Sequence, residues 1–297
     1  MAPLGELQAS GPRQVKYEEH LADDDPLKDK VRELRALARP EVPTFPAGDQ
    51  ILDEPEVDAK WGRGTHVLWS GGEPLFLVAS SGLGKSTLAQ QLALCRAGIW
   101  EPELLGYPVE VDAARVLYIA ADRPRQLLRS WARMVTPSQR ENLNRAILIA
   151  NDVPAPLSSD PEALVPWVDR LGDIGTVIID SLKDVASDLG SDSEGNAVNL
   201  ALKNLIHSGR EVVVLHHDRK ADILAGDRKP READIYGSRW LAAGAGSIIY
   251  LKGEAAGNSR IVAHHLKTPL TRVGPLHLRH DFGAGRTYID EVEIGLP

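Results

Sequence analysis

Residues 75–97, LFLVASSGLGKSTLAQQLALCRA, combine a strand, a turn and a helix in that order. The apolar run LFLVA predicts a buried strand, two glycines follow in the turn, and apolar residues then recur at helical spacing. This order is that of a P-loop, where backbone N–H groups at a helix start carry partial positive charge and surround phosphate oxygens. The other segments can therefore be placed relative to this element.

Each position of the loop has a predicted role in phosphate binding. The glycines allow the backbone to approach phosphate closely, Lys85 meets the terminal phosphates, Ser86 binds Mg²⁺ through its hydroxyl, and Thr87 supports the helix start. Ala79 stands where the usual pattern has its first glycine, which is acceptable if its φ stays negative. The predicted nucleotide-binding residues are Ser80, Ser81, Gly82, Leu83, Gly84, Lys85, Ser86 and Thr87.

Composition narrows the class of protein. A chain of 297 residues that is 43% hydrophobic is expected to form one large α/β domain with an extension. The formal net charge of −8 means that any contact with nucleic acid must be local. The single cysteine, Cys95, is expected to be a small buried hydrophobe. We find neither an apolar run of membrane-spanning length nor a cleavable leader, so we expect a soluble, cytoplasmic protein with no membrane partner.

Two regions follow from the distribution of prolines and polar residues. Residues 1–50 are polar and broken by prolines, which predicts a largely flexible arm with one short helix over 28–39. That helix carries apolar residues at helical spacing, so it either docks on a neighbouring subunit or caps its own core. Residues 51–297 are predicted to form the nucleotide-binding domain.

Three apolar runs, at 115–121, 176–180 and 211–217, predict further buried strands. Ligands of open α/β sheets bind beyond the carboxyl ends of the strands, where Asp122, Asp180 and His217 emerge. The run TVIID ending at Asp180 matches a Walker B element, whose carboxylate holds Mg²⁺. The alternative for Asp180 is a cap at the strand end.

Asp122 and His217 each have two interpretations. No glutamate follows Asp180 directly, so Asp122 is the predicted base that aligns the attacking water. Asp122 followed by Arg-Pro is also a good helix start, which leaves a capping role open. One of the two histidines at 216–217 is predicted to bond the γ-phosphate and report its loss, whereas a lone histidine at a strand end is usually structural.

The segment 218–239 is the one locally basic loop of the sequence. In a ring of subunits it would line the pore and contact nucleic-acid phosphates. Aspartates and a glutamate are interspersed, so a solvated loop is the alternative. The candidate contacts are Arg219, Lys220, Arg228, Lys229 and Arg231.

The C-terminal part of the sequence supplies two further candidate site residues and the last predicted strands of the sheet. Lys267 and Arg272 lie near predicted strand ends, where a cation can reach the γ-phosphate of an adjacent protomer as an arginine finger does. Surface solubility is the alternative for both residues. The other predicted elements are a strand at 146–150, a helix at 161–171, an acidic loop over 182–199, a helix at 197–208, a strand at 246–251, and antiparallel strands at 261–266 and within 274–288.

Six motifs occur in a recognisable order: ASSGLGKST, VLYIAADRP, VIIDSLKD, VVVLHHDRK, YGSRWLAAGAGS and HHLKTPLTRVGP. Over residues 52–290 the chain resembles the RecA/DnaB-like AAA-type ATPases of the RepA hexameric helicase group, as found in actinobacterial phages and mobile elements beside primase-polymerases. The resemblance implies a RecA-like P-loop fold, α/β with a mostly parallel central sheet flanked by helices and C-terminal antiparallel hairpins. It also implies a hexamer that uses ATP and Mg²⁺ and translocates on single-stranded DNA.

The resemblance also assigns roles by position. Lys85 and Ser86 bind phosphate and Mg²⁺, Asp180 holds the metal, and His217 resembles the γ-phosphate sensor. Asp122 stands where many members of the wider superfamily have glutamate. Lys267 lies near the family's trans-acting Lys/Arg pair, although its spacing to Arg272 is longer than the usual Lys-x-Arg.

Three functions remain open from the sequence. The first is a Mg²⁺-dependent, single-stranded-DNA-stimulated ATPase motor acting as a replicative helicase, with primase or other replication proteins as further partners. The second is an ATP-gated DNA-binding protein, helicase loader or recombination-type ATPase without processive unwinding. The third is a small-molecule P-loop kinase, which predicts a monomer with clustered arginines over the phosphates.

Overall fold

The computed structural model describes residues 57–219, 228–253 and 260–290, so the predicted arm of residues 1–50 and its helix lie outside the described residues. The strands are β1 Ala59–Arg63, β2 His66–Ser70, β3 Leu75–Ala79, β4 Glu103–Leu104, β5 Tyr107–Pro108, β6 Arg115–Ala120, β7 Ile147–Ala150, β8 Ile174–Asp180, β9 Glu211–His216, β10 Ser247–Gly253, β11 Arg260–Lys267, β12 Leu276–Asp281 and β13 Arg286–Ile289. The helices are α1 Lys85–Arg96, α2 Pro124–Trp131, α3 Arg140–Ala146, α4 Leu164–Arg170, α5 Leu182–Val185, α6 Asp192–His207 and α7 Arg239–Gly244.

The main sheet, within the described residues, has nine strands in the order β13-β12-β11-β10-β3-β9-β8-β6-β7. The six strands from β10 to β7 are parallel, and β11, β12 and β13 extend the sheet in antiparallel fashion. The fold class predicted from the sequence is therefore confirmed.

The order of the strands determines which side chains meet at the carboxyl edge. The P-loop strand β3 pairs with β9, so the histidine strand lies between the P-loop strand and the Walker B strand β8. The register places Val78 beside His216 and Ala120 beside Asp180. The residues that follow these four positions consequently emerge at one edge.

Both faces of the sheet are covered by helices. On one face Leu77 belongs to a buried cluster with Leu88 and Leu92 of α1, and on the other Val78 belongs to a cluster with Val198 of α6. Each of these side chains is fully buried. Burying an aliphatic side chain of this size contributes about 1.5–3 kcal/mol, so α1 is held to the sheet mainly by apolar contact.

A buried arginine fixes the end of α1 to the start of β8. Arg96 is 2% exposed, its guanidinium donates to Asp112 at 3.1 Å and to the Thr176 hydroxyl at 3.0 Å, and it lies 5.5 Å from the centre of the Trp69 ring. A buried charge requires such a set of partners because its desolvation is costly.

Two predictions about the segment after β8 were wrong. The helix predicted from about Ala197 begins at Asp192, and α5 occupies part of the predicted loop. Asp192 and Glu194 lie in the first turn of α6, where acidic side chains interact favourably with the helix dipole. The acidic composition that suggested a loop is therefore that of a helix start.

The structure also corrects or confirms the predictions for three single residues. Arg239 is the first residue of α7 rather than part of the basic loop, and its guanidinium lies 5.3 Å from the Trp240 ring centre. Ala146 ends α3 and does not begin β7. Cys95 is buried and unpaired, as predicted. Among the described residues, no helix has both the length and the apolar character needed to cross a bilayer.

Candidate active site

The predicted site residues of the carboxyl edge line one cleft of about 560 Å³. Leu83, the exception within the predicted loop, is 2% exposed and packs into the core below the cleft. The residues brought together are Ser80, Ser81, Gly82, Gly84, Lys85, Ser86, Thr87, Asp122, Asp180 and His217.

The turn of the P-loop depends on its two glycines. Gly82 has φ +85° and Gly84 has φ +76°, a region that disfavours other residues. A Cβ at Gly84 would also lie 2.8 Å from Nδ1 of His280, so that position has no room for a side chain. Ala79 is not among the described non-glycine residues with positive φ, as its place in the pattern requires.

Helix α1 begins at Lys85, with no side-chain cap from the described part of the chain and no acidic residue in its first turn. The first N–H groups of a helix lack intrahelical partners and carry partial positive charge. An uncapped start at the floor of a cleft is therefore suited to bind an anion such as a polyphosphate.

Lys85 is held within the site by the neighbouring strand. Its ammonium donates to the backbone carbonyl of His216 at 2.8 Å and lies 3.5 Å from Nδ1 of His217. Burial lowers the pKa of Lys85 to about 8, although nearby carboxylates, chiefly Asp180 and then Asp218, act in the opposite direction. A phosphate would supply the counter-charge that this buried ammonium lacks.

Asp180 is a buried carboxylate at the end of β8, 4% exposed. The Tyr118 hydroxyl donates to its Oδ2 at 2.8 Å, and Ser86 also hydrogen-bonds to it. Burial raises the pKa of Asp180, and these two hydrogen bonds partly offset that effect. The Ser86 hydroxyl and the Asp180 carboxylate are thus adjacent, which is the arrangement that a Mg²⁺ ion beside a nucleotide requires.

The two histidines at the end of β9 face different surroundings. His216 is fully buried and its Nε2 lies 2.7 Å from the Tyr236 carbonyl, whereas His217 lines the cleft. Burial lowers the pKa of both to about 4, so both rings are neutral at pH 7. If Lys85 donates to Nδ1 of His217, the ring proton lies on Nε2, and that buried nitrogen has no partner among the described residues.

Asp122 does not cap helix α2. The N-cap of α2 is Arg123, in the left-handed region, and none of the described side chains caps the helix. The Asp122 carboxylate is 37% exposed, faces the cleft and lies 3.6 Å from the Arg123 guanidinium. The capping alternative for Asp122 is thus removed. Its carboxylate lies where it can contact water in the cleft.

The basic loop supplies fewer free cations than its sequence suggests. Arg219 donates to the carbonyls of Ile235 and Gly237, and Arg228 forms a two-point ion pair with Asp234. Lys220 lies outside the described residues. Lys229 and Arg231 are exposed.

Lys267 and Arg272 lie away from the cleft of their own chain. Lys267 pairs with Ile248, near the start of β10, and thus at the edge of the sheet opposite the P-loop. Its ammonium donates to the Ala243 carbonyl at 2.9 Å, and Arg272 donates to the Leu266 carbonyl at 3.3 Å. Neither residue reaches the cleft that holds Lys85.

Sequence reasoning missed one wall of the cleft. Arg123, Arg129 and Arg133 line it from α2 and its flanks, and His280 and Phe282 line it from the end of β12. In the sequence these arginines come soon after Asp122, at the predicted catalytic edge, so their place in the cleft could have been predicted. No local pattern indicated that β12, far along the chain, returns to the P-loop.

The cleft fits a nucleotide with Mg²⁺ better than it fits a metal alone. Among the described residues, no group of three or more His, Cys, Asp and Glu side chains could hold a metal ion. Mg²⁺ in nucleotide sites takes one or two protein ligands and completes its shell with phosphate oxygens and water. Ser86 and Asp180 would hold the ion, which would neutralise charge on the phosphates, and Lys85 and the start of α1 would bind the phosphates themselves.

A larger groove, of about 690 Å³, lies elsewhere, between the β4–β5 turn and β13. Trp100, Met134 and Tyr288 contribute to its lining, and Arg286 lies 4.4 Å from the Trp100 ring centre. Of the predicted site residues that the structure describes, none lines this groove. The chemistry is therefore assigned to the smaller cleft.

Comparison with known proteins agrees with this geometry. A family profile described as an AAA domain matches residues 39–222, more than half of the chain. The chain belongs to this AAA-domain family. No curated protein sequence matches it.

Solved structures match a longer part of the chain than the family profile does. The structure titled "ATPase Domain of G40P" matches with a TM-score of 0.54 at 15% identity, covering 89% of this chain and 97% of that one. A KaiC-like protein, PH0186 from Pyrococcus horikoshii OT3, matches at 16% identity over 74% of this chain and 90% of that one, with a TM-score of 0.49. The match to the G40P ATPase domain shows that the AAA domain described here has the same RecA-like fold.

Proposed function

We propose that this protein is a Mg²⁺-dependent ATPase motor whose hydrolysis is stimulated by single-stranded DNA. It assembles as a homo-hexamer and acts as a replicative DNA helicase in the cytoplasm, with primase or other replication proteins as partners. Residues 51–297 form the motor domain, and residues 1–50 form an arm.

One observation carries the ATPase part of this proposal. The uncapped start of α1, the Lys85 ammonium, the Ser86–Asp180 pair and Asp122 meet in a single cleft. Phosphoryl transfer to water needs phosphate binding, a metal, positive charge at the γ-phosphate and a positioned water. Each requirement has a named group here.

The motor part of the proposal depends on the sequence resemblance together with the geometry of His217 and Lys267. His217 lines the cleft beside Lys85, so its ring can contact a γ-phosphate oxygen and lose that contact on hydrolysis. Lys267 and Arg272, at the edge opposite the P-loop, can act as fingers only in the site of another protomer. A motor with sites between subunits is therefore the assembly in which these residues have a catalytic role.

The alternative is an ATP-gated DNA-binding protein, helicase loader or recombination-type ATPase. The internal partners of Arg219 and Arg228 favour it, because a pore-lining loop with these two cations held in contacts within the chain has fewer to offer to nucleic-acid phosphates. The cleft arginines Arg123, Arg129 and Arg133 similarly meet one expectation for a small-molecule kinase.

The deciding experiment measures ATP hydrolysis with and without single-stranded DNA, strand displacement on a forked duplex, and mass by light scattering in ATP. The motor predicts a hexamer, stimulated hydrolysis and strand displacement. Stimulated hydrolysis without displacement would instead establish the loader or recombination-type ATPase. A monomer that ignores DNA and transfers phosphate to a small molecule would contradict both.

A further inference from the structure

Tyr118 is a polar residue in a stretch of strand, 116–120, that is otherwise apolar and is buried throughout. It lies in β6, is fully buried, and its hydroxyl donates to Oδ2 of Asp180 at 2.8 Å. Buried tyrosine hydroxyls need a partner, and this one has the carboxylate at the predicted Mg²⁺ position. The bond crosses from β6 to the adjacent strand β8.

The ring of Tyr118 is held in place from the helix side. Its centre lies 5.1 Å from that of Trp131 in an edge-to-face arrangement, and Trp131 is 5% exposed at the end of α2. Edge-to-face pairs at this distance contribute beyond their buried area. The hydroxyl thus has little freedom to leave Asp180.

We infer that Tyr118 is a positioning residue for Mg²⁺. Its hydroxyl occupies Oδ2 of Asp180 and thereby holds the carboxylate in one orientation, facing the ion and Ser86. This inference rests on the proposed function, because it assumes that the cleft binds ATP with Mg²⁺. It assigns no contact between Tyr118 and the nucleotide, since Tyr118 lies beneath the cleft and does not line it.

A carboxylate that holds a metal ion needs hydrogen-bond partners for its other lone pairs. Groups that hydrogen-bond to a ligand orient it, and their loss typically weakens metal affinity or activity about 10–100-fold. Tyr118→Phe keeps the ring and its contact with Trp131 and removes only the hydroxyl. A change in Mg²⁺ affinity would therefore report the bond to Asp180.

The test titrates Mg²⁺ into protein with a fluorescent ATP analogue and measures nucleotide binding directly, without relying on hydrolysis. In wild type, we expect Mg²⁺ to tighten nucleotide binding. In Tyr118→Phe, the Mg²⁺ concentration for half of that effect should rise about 10-fold or more, while binding in EDTA stays within twofold. Trp131→Phe is the matched control, because it keeps an aromatic ring against Tyr118 and leaves the hydroxyl–carboxylate bond, so its Mg²⁺ dependence should match wild type.

Two outcomes would overturn the inference. An unchanged Mg²⁺ dependence in folded Tyr118→Phe, or an equal shift in Trp131→Phe, would make Tyr118 a packing residue only. Wild type without any Mg²⁺-dependent nucleotide binding would overturn the proposed function itself, and this inference with it. If Tyr118→Phe does not fold, 3-fluorotyrosine at position 118 alters the strength of the same hydrogen bond, and an unchanged Mg²⁺ dependence there would also count against the role.

Discussion

The ammonium of Lys85 donates a hydrogen bond to the backbone carbonyl of His216, 2.8 Å away on the neighbouring strand. The P-loop lysine is thus held by the strand that carries His217 toward the cleft. Because this bond uses a backbone carbonyl, substitutions of the His216 side chain leave the acceptor in place.

Lys85→Ala should abolish hydrolysis, with a loss of about 10²-fold or more, because the developing charge on the γ-phosphate loses a fixed cation. Hydrolysis is measured by phosphate release at saturating Mg²⁺-ATP. Lys203→Ala, an exposed lysine of α6, is the control and should behave as wild type. Retention of most activity in Lys85→Ala would place the active site elsewhere.

Asp122→Asn should bind ATP normally and hydrolyse it roughly tenfold or more slowly, as expected on loss of a general base. Single-turnover hydrolysis separates this effect from product release, and binding is measured with a labelled nucleotide. Glu141→Gln, which removes an exposed acid on α3, controls for the change of net charge. Near-normal turnover in Asp122→Asn would mean that another group positions the attacking water.

Arg129→Gln should weaken ATP binding about tenfold, because a charge-assisted hydrogen bond to phosphate is among the strong ones. Arg125→Gln is the matched control: both arginines are exposed on α2, but only Arg129 lines the cleft. Affinity is measured by titration of a labelled nucleotide. If both substitutions weaken ATP binding equally, the effect comes from the overall positive charge of α2 and not from a contact between Arg129 and phosphate.

The pH dependence of stability should report the buried Lys85. Its pKa is about 8 in the folded protein and 10.5 ordinarily, so the unfolded chain binds more protons between these values. The free energy of unfolding should therefore rise with pH across this window through Lys85. Lys85→Met removes this titration, so nucleotide-free Lys85→Met should melt above wild type at pH 7, by roughly 3 °C or more, and the difference should shrink above pH 8. A difference in Tm that stays constant from pH 7 to pH 10 would contradict the lowered pKa.

Arg96→Met should destabilise the fold by about 3–5 kcal/mol, because it leaves the nearly buried Asp112 carboxylate without its cation. Urea unfolding, followed by circular dichroism, measures this loss. The double variant Arg96→Met with Asp112→Asn removes both charges and should recover part of it. A single variant as stable as wild type would mean that the ion pair only offsets its own desolvation.

The sequence predicted the local parts of the site and the class of fold. The P-loop turn and the carboxylate at the end of β8 are determined by short-range patterns, and those patterns place Lys85 and Asp180 correctly at the carboxyl edge. The start of α6 was missed because acidic and small residues are common to loops and to first helical turns, and only packing distinguishes them.

Other parts depend on contacts between distant segments. Whether Arg219 is free or bonded depends on where the backbone carbonyls of Ile235 and Gly237 lie in the folded chain. The approach of His280 to Gly84 likewise follows from the order of strands in the sheet, which alternation of apolar residues does not specify.

The side chain of Gln91 in α1 bonds both the N–H and the carbonyl of Thr287 in β13, 196 positions later in the chain. During synthesis on a ribosome, the P-loop helix therefore emerges long before the strand that it contacts. A nascent chain that ends before β12 has its phosphate-binding turn but lacks the His280 and Phe282 side of the cleft. Complete nucleotide binding is thus a property that the growing polypeptide acquires late, once its antiparallel strands have joined the sheet.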